Sequence, residues 1–172
     1  EYLGAFYISG EELSRELLLM TDHFTDELFA PQIEGFDCLQ FPVSRLLVDP
    51  ERFESDKVEI MSAVGMGCIY ERTHDGRSLK SAHQIREELL TKFYRPHHLE
   101  FQSKVSSILD ENDTCLIVDC HSFPKLPLPY ELRQEPTRAE VCIGTDEYHT
   151  PTWLIEFMIE NFQSFGFSVA ID

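Results

Sequence analysis

The run Thr114-Cys115-Leu116-Ile117-Val118-Asp119 restricts the fold more than any other stretch. It is continuously apolar, too short for a buried helix and rich in β-branched side chains. Such a run reads as a parallel strand buried on both faces. A strand apolar on both faces needs other elements packed on each side. The flanking sequence predicts them. Residues 81–94 place Ile85, Leu89, Leu90 and Phe93 on one helical face, and Pro96 suits the first turn of a following helix that carries Phe101, Val105 and Ile108. Ala139 to Ile143 reads as a second buried strand. Thr150-Pro151 then predicts an N-cap and a proline at the first helical position, for a helix through Trp153, Leu154, Phe157, Met158 and Phe162 that stops near Gly166. Phe167 to Ile171 begins a last strand. Strands alternating with helices predict an α/β fold, a three-layer αβα arrangement with a mostly parallel or mixed central sheet.

The first part of the chain is helical in pattern. Ser9-Gly10-Glu11-Glu12 is a capping box, followed by Leu13, Leu17, Met20, Phe24 and Leu28 at helical spacing. Thr21 can cap a second segment, and under either division Asp22 and Asp26 fall on one helix face. Pro31 is expected to end this stretch. Phe41 to Val48 reads as an extended piece near a sheet edge, interrupted by Pro42. Gly65 to Tyr70 reads as another extended piece, with a hairpin-like turn at Asp75-Gly76.

A chain of 172 residues fits one domain, here taken as residues 1–172, and a domain of this size buries about 70% of its unfolded surface. The chain does not begin with Met, and its last strand reaches the final residues, so both ends read as cut from a longer domain. No run of about 18 apolar residues is present to span a membrane, and no basic, apolar leader opens the chain. Lys and Arg number 14 against 31 Asp and Glu, a net charge of −17. That charge repels phosphate backbones and anionic lipid, which excludes nucleic acid and membrane as expected partners. An anionic small-molecule substrate would need local arginines. The five cysteines are odd in number and form no CxxC pair, so neither a disulfide framework nor a cysteine zinc site is indicated, and a cytoplasmic location is expected.

Ligands of open α/β sheets bind beyond the carboxyl ends of strands, which is where Asp119-Cys120-His121-Ser122 falls. Imidazole is a common zinc ligand, and Asp119, two residues before His121, can fix its tautomer. The alternative is a histidine that only hydrogen-bonds a loop. Asp22 and Asp26 offer carboxylates for the same metal, or simply a solvated face. Arg45 and Arg52 lie on an apolar run and present planar forks suited to carboxylates; a salt bridge from Arg45 to Asp49 is the plainer reading. His97 and His98 point about 100° apart on a helix and are not expected to chelate one metal together. His149 precedes a helix, in a loop position of the kind that carries site residues.

Taken in order, these segments resemble the N-formylglutamate amidohydrolase family. The pieces are Thr21 to Leu28, Ser44-Arg45-Leu46-Leu47-Val48-Asp49, Tyr94-Arg95-Pro96-His97-His98, Val118-Asp119-Cys120-His121-Ser122, Arg138 with Val141-Cys142-Ile143-Gly144-Thr145, and Gly166-Phe167. The set carries the resemblance rather than any one motif. It implies a zinc-exopeptidase-like fold and hydrolysis of an N-acyl amide such as that of N-formylglutamate, with one divalent metal, zinc. Asp22 and His121 would be metal ligands, supported by Asp119 and Ser122. Arg45, Asp49, Arg52 and Arg138 would bind substrate. A second histidine ligand, from a Pro-His-Ser-Gly type motif, and the general-base carboxylate would lie outside these residues. The family's Asp-x-Asn-Arg stands here as Asp49-Pro50-Glu51-Arg52. Glu51 adds negative charge where a carboxylate is expected to bind. Another acylated amino acid or peptide as substrate is therefore one competing implication, and the lack of the Pro-His-Ser-Gly type motif within these residues makes a non-catalytic binding role another.

Overall fold

The structure, a computed structural model, describes residues 2–30, 35–131 and 133–172; Pro31, expected to end the first helical stretch, lies outside them. Two compact units divide the chain, Glu1–Phe123 and Pro124–Asp172.

In the first unit, α1 runs Gly10–Met20 and starts as the capping box requires, with Ser9 Oγ accepting from Glu12 N at 3.2 Å and Glu12 Oε2 accepting from Ser9 N at 2.9 Å. Leu13, Glu16 and Met20 form its buried face. The buried Glu16 carboxylate lies 2.7 Å from His74 Nδ1 and ties the helix to the turn at residues 73–77. That turn is the expected hairpin, closed by Thr73 N donating to Arg77 O at 3.0 Å and an antiparallel bridge between Arg72 and Ser78.

Asp22 lies in no helix, so it does not share with Asp26 the helix face expected under either division. The Thr21 hydroxyl turns back to Leu17 O at 2.6 Å and Phe24 adopts φ 64°, so α1 ends at Met20 and a short α2 restarts at Thr25–Leu28. Thr21 closes α1 instead of capping the second segment. The Phe41 to Val48 piece is likewise not a strand. Ser44 folds it into a turn, its carbonyl accepting from Leu47 N at 2.8 Å and its hydroxyl from Leu46 N at 3.2 Å.

Residues 82–112 form one long helical rod: α3 (Ala82–Leu89), a wider π turn (Leu90–Tyr94) and α4 (Arg95–Asn112). Pro96 has no N–H to give the preceding turn. The π turn meets this by sending Arg95 N–H to Leu90 O, and the rod continues. The core of the unit packs Ala82, Leu89, Leu90 and Tyr94 of this rod against Val48, Cys68 and Ile69. Burying a side chain such as Leu89 contributes about 1.5–3 kcal/mol. Lys80 is buried beneath them and donates to Leu46 O and Tyr70 O, joining the two loops that lie under the candidate site.

The run from Thr114 to Asp119 corrects the first expectation. Among the described residues it pairs with no strand, and Leu116, Ile117 and Val118 are 66%, 53% and 62% exposed. A continuous apolar run records what its side chains favour; a strand also needs a neighbouring ladder to satisfy its backbone.

The second unit holds the described sheet: β1 (Val141–Ile143) and β2 (Val169–Ile171) pair in parallel, in register Val141 with Val169 and Ile143 with Ile171, joined through α5 (Thr152–Ser164). Only Ile143 of β1 is buried. Pro151 rather than Thr150 caps α5, because the Thr150 hydroxyl accepts from Asp146 N at 2.9 Å. At its other end Gly166 takes φ 89°, Gly166 N donates to Gln163 O at 2.9 Å and Phe167 N to Phe162 O at 3.1 Å. The Phe162 and Phe167 rings meet edge-on at 6.3 Å over this turn. The chain is thus mixed α/β, with a small parallel sheet among its described residues.

Candidate functional site

Four segments of the first unit converge. The break between α1 and α2 carries Asp22, held by Thr25 Oγ1 donating to its carbonyl at 3.0 Å. The Ser44 turn carries Arg45. The short stretch after Val48 carries Asp49 to Arg52, and the segment after α4 carries Asp119 and His121.

Asp22 Oδ2 accepts from Arg45 Nη2 at 2.9 Å and stands 2.7 Å from His121 Nδ1. Glu51 Oε1 lies 3.5 Å from the same Arg45 nitrogen and 3.6 Å from the same His121 nitrogen. Asp119 Oδ2 faces the other ring nitrogen, His121 Nε2, at 3.3 Å. The two-residue offset of Asp119 and His121 does put both on one side, and Ser122 follows half-buried. Arg45 is therefore tied to Asp22 and Glu51, not to Asp49.

The charges shape one another. Hydrogen bonding to Asp119 and Asp22 pushes the His121 imidazole up to about 10, against its burial. His121 in turn holds Asp119 below the usual carboxylate range. Burial raises the Glu51 carboxyl, opposed by Arg45. Burial works against the Arg45 charge, but Asp22 and Glu51 outweigh it and raise the guanidinium further.

Asp49 is fully buried. Its Oδ2 accepts from Tyr70 OH at 2.7 Å and its Oδ1 from Glu51 N at 3.0 Å. Arg52 Nε is 3.8 Å from Asp49 Oδ2, buried and, among the described residues, without a hydrogen-bond partner. Burial and the Asp49 charge raise the Tyr70 phenol well above its ordinary value. These contacts give Asp49 protein partners on both carboxylate oxygens. His98 Nε2 lies 3.0 Å from Pro50 O and pins the same stretch from the π-turned rod, while His97 meets the Phe41 ring edge-on at 4.9 Å. The two histidines go separate ways, as their offset on a helix requires. Arg138 and His149 belong to the second unit, where Arg138 Nη2 pairs with Glu131 at 2.9 Å and His149 Nδ1 with Asp146 at 2.7 Å.

A cleft of about 800 Å³ opens over Asp22, Arg45 and Glu51. Its apolar wall includes Phe41, Phe101, Leu116, Ile117 and Val118, so the run expected as a buried strand lines a cavity instead. Asp26 lines it as well, though not through a helix shared with Asp22. The size suits a small molecule.

One ligand atom from each of Asp22, Glu51 and His121 lies within 4.8 Å of the others. An imidazole and carboxylates around one point are the donors of hydrolytic zinc and related divalent sites, so the residues fit such an ion. Sequence reasoning brought Asp22 and His121 together, but it weighed Glu51 only as an odd charge in a substrate motif. Its membership in the cluster depends on the fold of residues 44–52.

The family model described as N-formylglutamate amidohydrolase matches residues 4–172, essentially the whole chain. No curated protein and no solved structure matches it. Among the described residues, no helix is long and apolar enough to cross a membrane.

Proposed function

The chain belongs to the N-formylglutamate amidohydrolase family, and from that premise we propose that it is a zinc-dependent hydrolase of a small N-acyl amino acid, with Asp22 and His121 as metal ligands. Membership carries amide hydrolysis of N-formylglutamate-like compounds as the class of reaction. The observation that carries the metal reading is the 2.7 Å approach of His121 Nδ1 to Asp22 Oδ2, two groups 99 positions apart in sequence.

When bound, a divalent metal supplies Lewis-acid polarisation of an acyl carbonyl and acidifies water. The chain's own residues would do the rest. Asp119, at His121 Nε2, orients the imidazole so that Nδ1 faces Asp22. Arg45 stands beside the metal ligands and lines the cleft, where its guanidinium can take a substrate carboxylate or the charge that develops on the acyl oxygen. Asp49, buried under Tyr70, supports Glu51 and Arg52 from behind. Phe101, Leu116 and Ile117 offer the apolar part of a substrate a surface beside these charged groups. Arg138 is a further candidate for substrate binding. The parallel β1–α5–β2 unit suits a three-layer exopeptidase-like arrangement, which is part of the same reading.

A second reading has a specific observation behind it. Glu51 shares Arg45 with Asp22, so a substrate carboxylate meets competition for that guanidinium. This favours a less anionic acylated amino acid or a short peptide over N-formylglutamate itself.

Metal analysis beside a screen of N-acyl amino acids tests both. The protein is expected to hold about one zinc per chain, and Asp22→Asn and His121→Ala should each lose the metal and the hydrolysis together. A protein that takes up no metal when supplied with zinc would end the metal mechanism. Turnover confined to N-formylglutamate would end the second reading.

A further inference from the structure

Two ligands leave a zinc ion short of the donors it takes, and the cluster contains a third candidate. We propose that Glu51 ligates the same divalent ion, so that this chain alone contributes two carboxylates and one imidazole. The proposal rests on the metal reading above and adds to it.

The first argument is convergence. The carboxylates of Asp22 and Glu51 both approach one nitrogen, His121 Nδ1, at 2.7 and 3.6 Å. They therefore share a focus instead of forming separate pairs. Two donors about 2.0–2.2 Å from one ion lie no more than about 4.4 Å apart, close to the 4.8 Å within which the three donors already stand. The glutamate side chain, partly exposed and rotatable, is free to close that difference.

The second argument is support. Glu51 does not hang from a loose loop. Its N–H donates to the fully buried Asp49 at 3.0 Å, and the preceding carbonyl, Pro50 O, is held by His98 Nε2 at 3.0 Å. Asp49 is itself fixed by Tyr70 OH at 2.7 Å. A ligand position anchored from behind by hydrogen bonds to buried and half-buried groups is what tight metal binding requires.

The third argument is charge. Two carboxylates directed at one point repel unless positive charge lies between them. Arg45 meets Asp22 at 2.9 Å but reaches Glu51 only at 3.5 Å, the limit of a hydrogen bond. Arg45 therefore pairs with Asp22 more closely than with Glu51, and the positive charge that both carboxylates share is at His121 Nδ1, the point where a divalent ion would take the place of the imidazole proton.

Zinc affinity, measured by competition with a chromophoric chelator, tests this in the intact chain. Loss of a group that only supports a ligand costs about 10–100-fold in metal affinity. Glu51→Gln, nearly isosteric, should weaken zinc by more than about 100-fold while its melting curve in chelator matches that of the wild type. Glu51→His, which restores a donor, should bring zinc affinity back to within about 10-fold of the wild type. A smaller loss in Glu51→Gln, or no recovery in Glu51→His, overturns the assignment; if Glu51→Gln does not fold, Glu51→His decides alone. Asp22→Asn and His121→Ala run alongside. If they lose zinc and Glu51→Gln keeps it, only this inference falls. If the wild type binds no zinc, the metal reading falls with it.

Discussion

Lys80 shows at the scale of one residue how this site is underpinned and what that costs. Its ammonium is buried, donates to Leu46 O and Tyr70 O and lies 5.4 Å from the Phe6 ring centre. It thereby joins the turn that bears Arg45 to the strand-like piece whose Tyr70 holds Asp49. Burial pushes its pKa down to about 7 from an ordinary 10.5. The unfolded chain therefore binds more protons than the folded one between those values, and the lysine's contribution rises with pH across that window. Chemical denaturation should show stability climbing from pH 7.5 to 9.5 with a slope approaching about 1.4 kcal/mol per pH unit. Lys80→Met should flatten that slope; an unchanged slope in the variant would mean that another group is responsible. Nothing in the sequence singled out Lys80, because a lysine between Leu79 and Ser81 looks like any surface lysine until the chain closes over it.

At the scale of elements, the helices were legible and the strands only partly so. The capping box at Ser9, the apolar face of residues 82–94 and the glycine stop at Gly166 are local devices, and each acts where its residues predict. The division at Thr21 and the π turn before Pro96 are local too, but they depend on which backbone groups find partners. Thr114 to Asp119 and Phe41 to Val48 failed for a physical reason. Strand pairing is a contact between distant segments, and a Ser44 hydroxyl, or the want of a ladder among the described residues, outweighs β-propensity. The rod of α3 and α4 makes a quantitative test. Leu89 is fully buried against Val48 and Cys68, so Leu89→Ala should cost about 2–5 kcal/mol in urea denaturation. Leu109 on the same rod, 42% exposed, should cost less than about 1 kcal/mol beyond helix propensity. Equal losses at the two positions would mean that the rod packs differently. Because His98 leaves this rod to pin Pro50, loosening its core should also disturb the Glu51 stretch.

At the scale of the whole molecule, the net charge of −17 sets the field in which an anionic substrate arrives. Arg45 attracts it only at short range, whereas the acidic surface repels it from further out. Raising ionic strength from low salt to about 0.15 M shortens the Debye length to about 8 Å and screens the repulsion before it screens the local contact. The kcat/KM for an N-acyl amino acid carrying carboxylates should therefore rise over that range. A fall would mean that the arginines dominate even at long range.

The sequence by itself determined the main helices, the helix boundaries set by caps and the family, because these rest on nearest-neighbour chemistry and on an ordered set of short motifs. It also nominated Asp22 and His121. Only the tertiary structure decided that Asp49 faces Tyr70 and inward, that Arg45 pairs with Asp22, that the apolar run from Leu116 to Val118 walls a cleft, and that Glu51 stands with the metal candidates. Those outcomes depend on which groups 20 to 100 positions apart are brought within 4 Å, a matter settled by packing the rod against residues 44–70 and by the cost of leaving buried polar groups unpartnered.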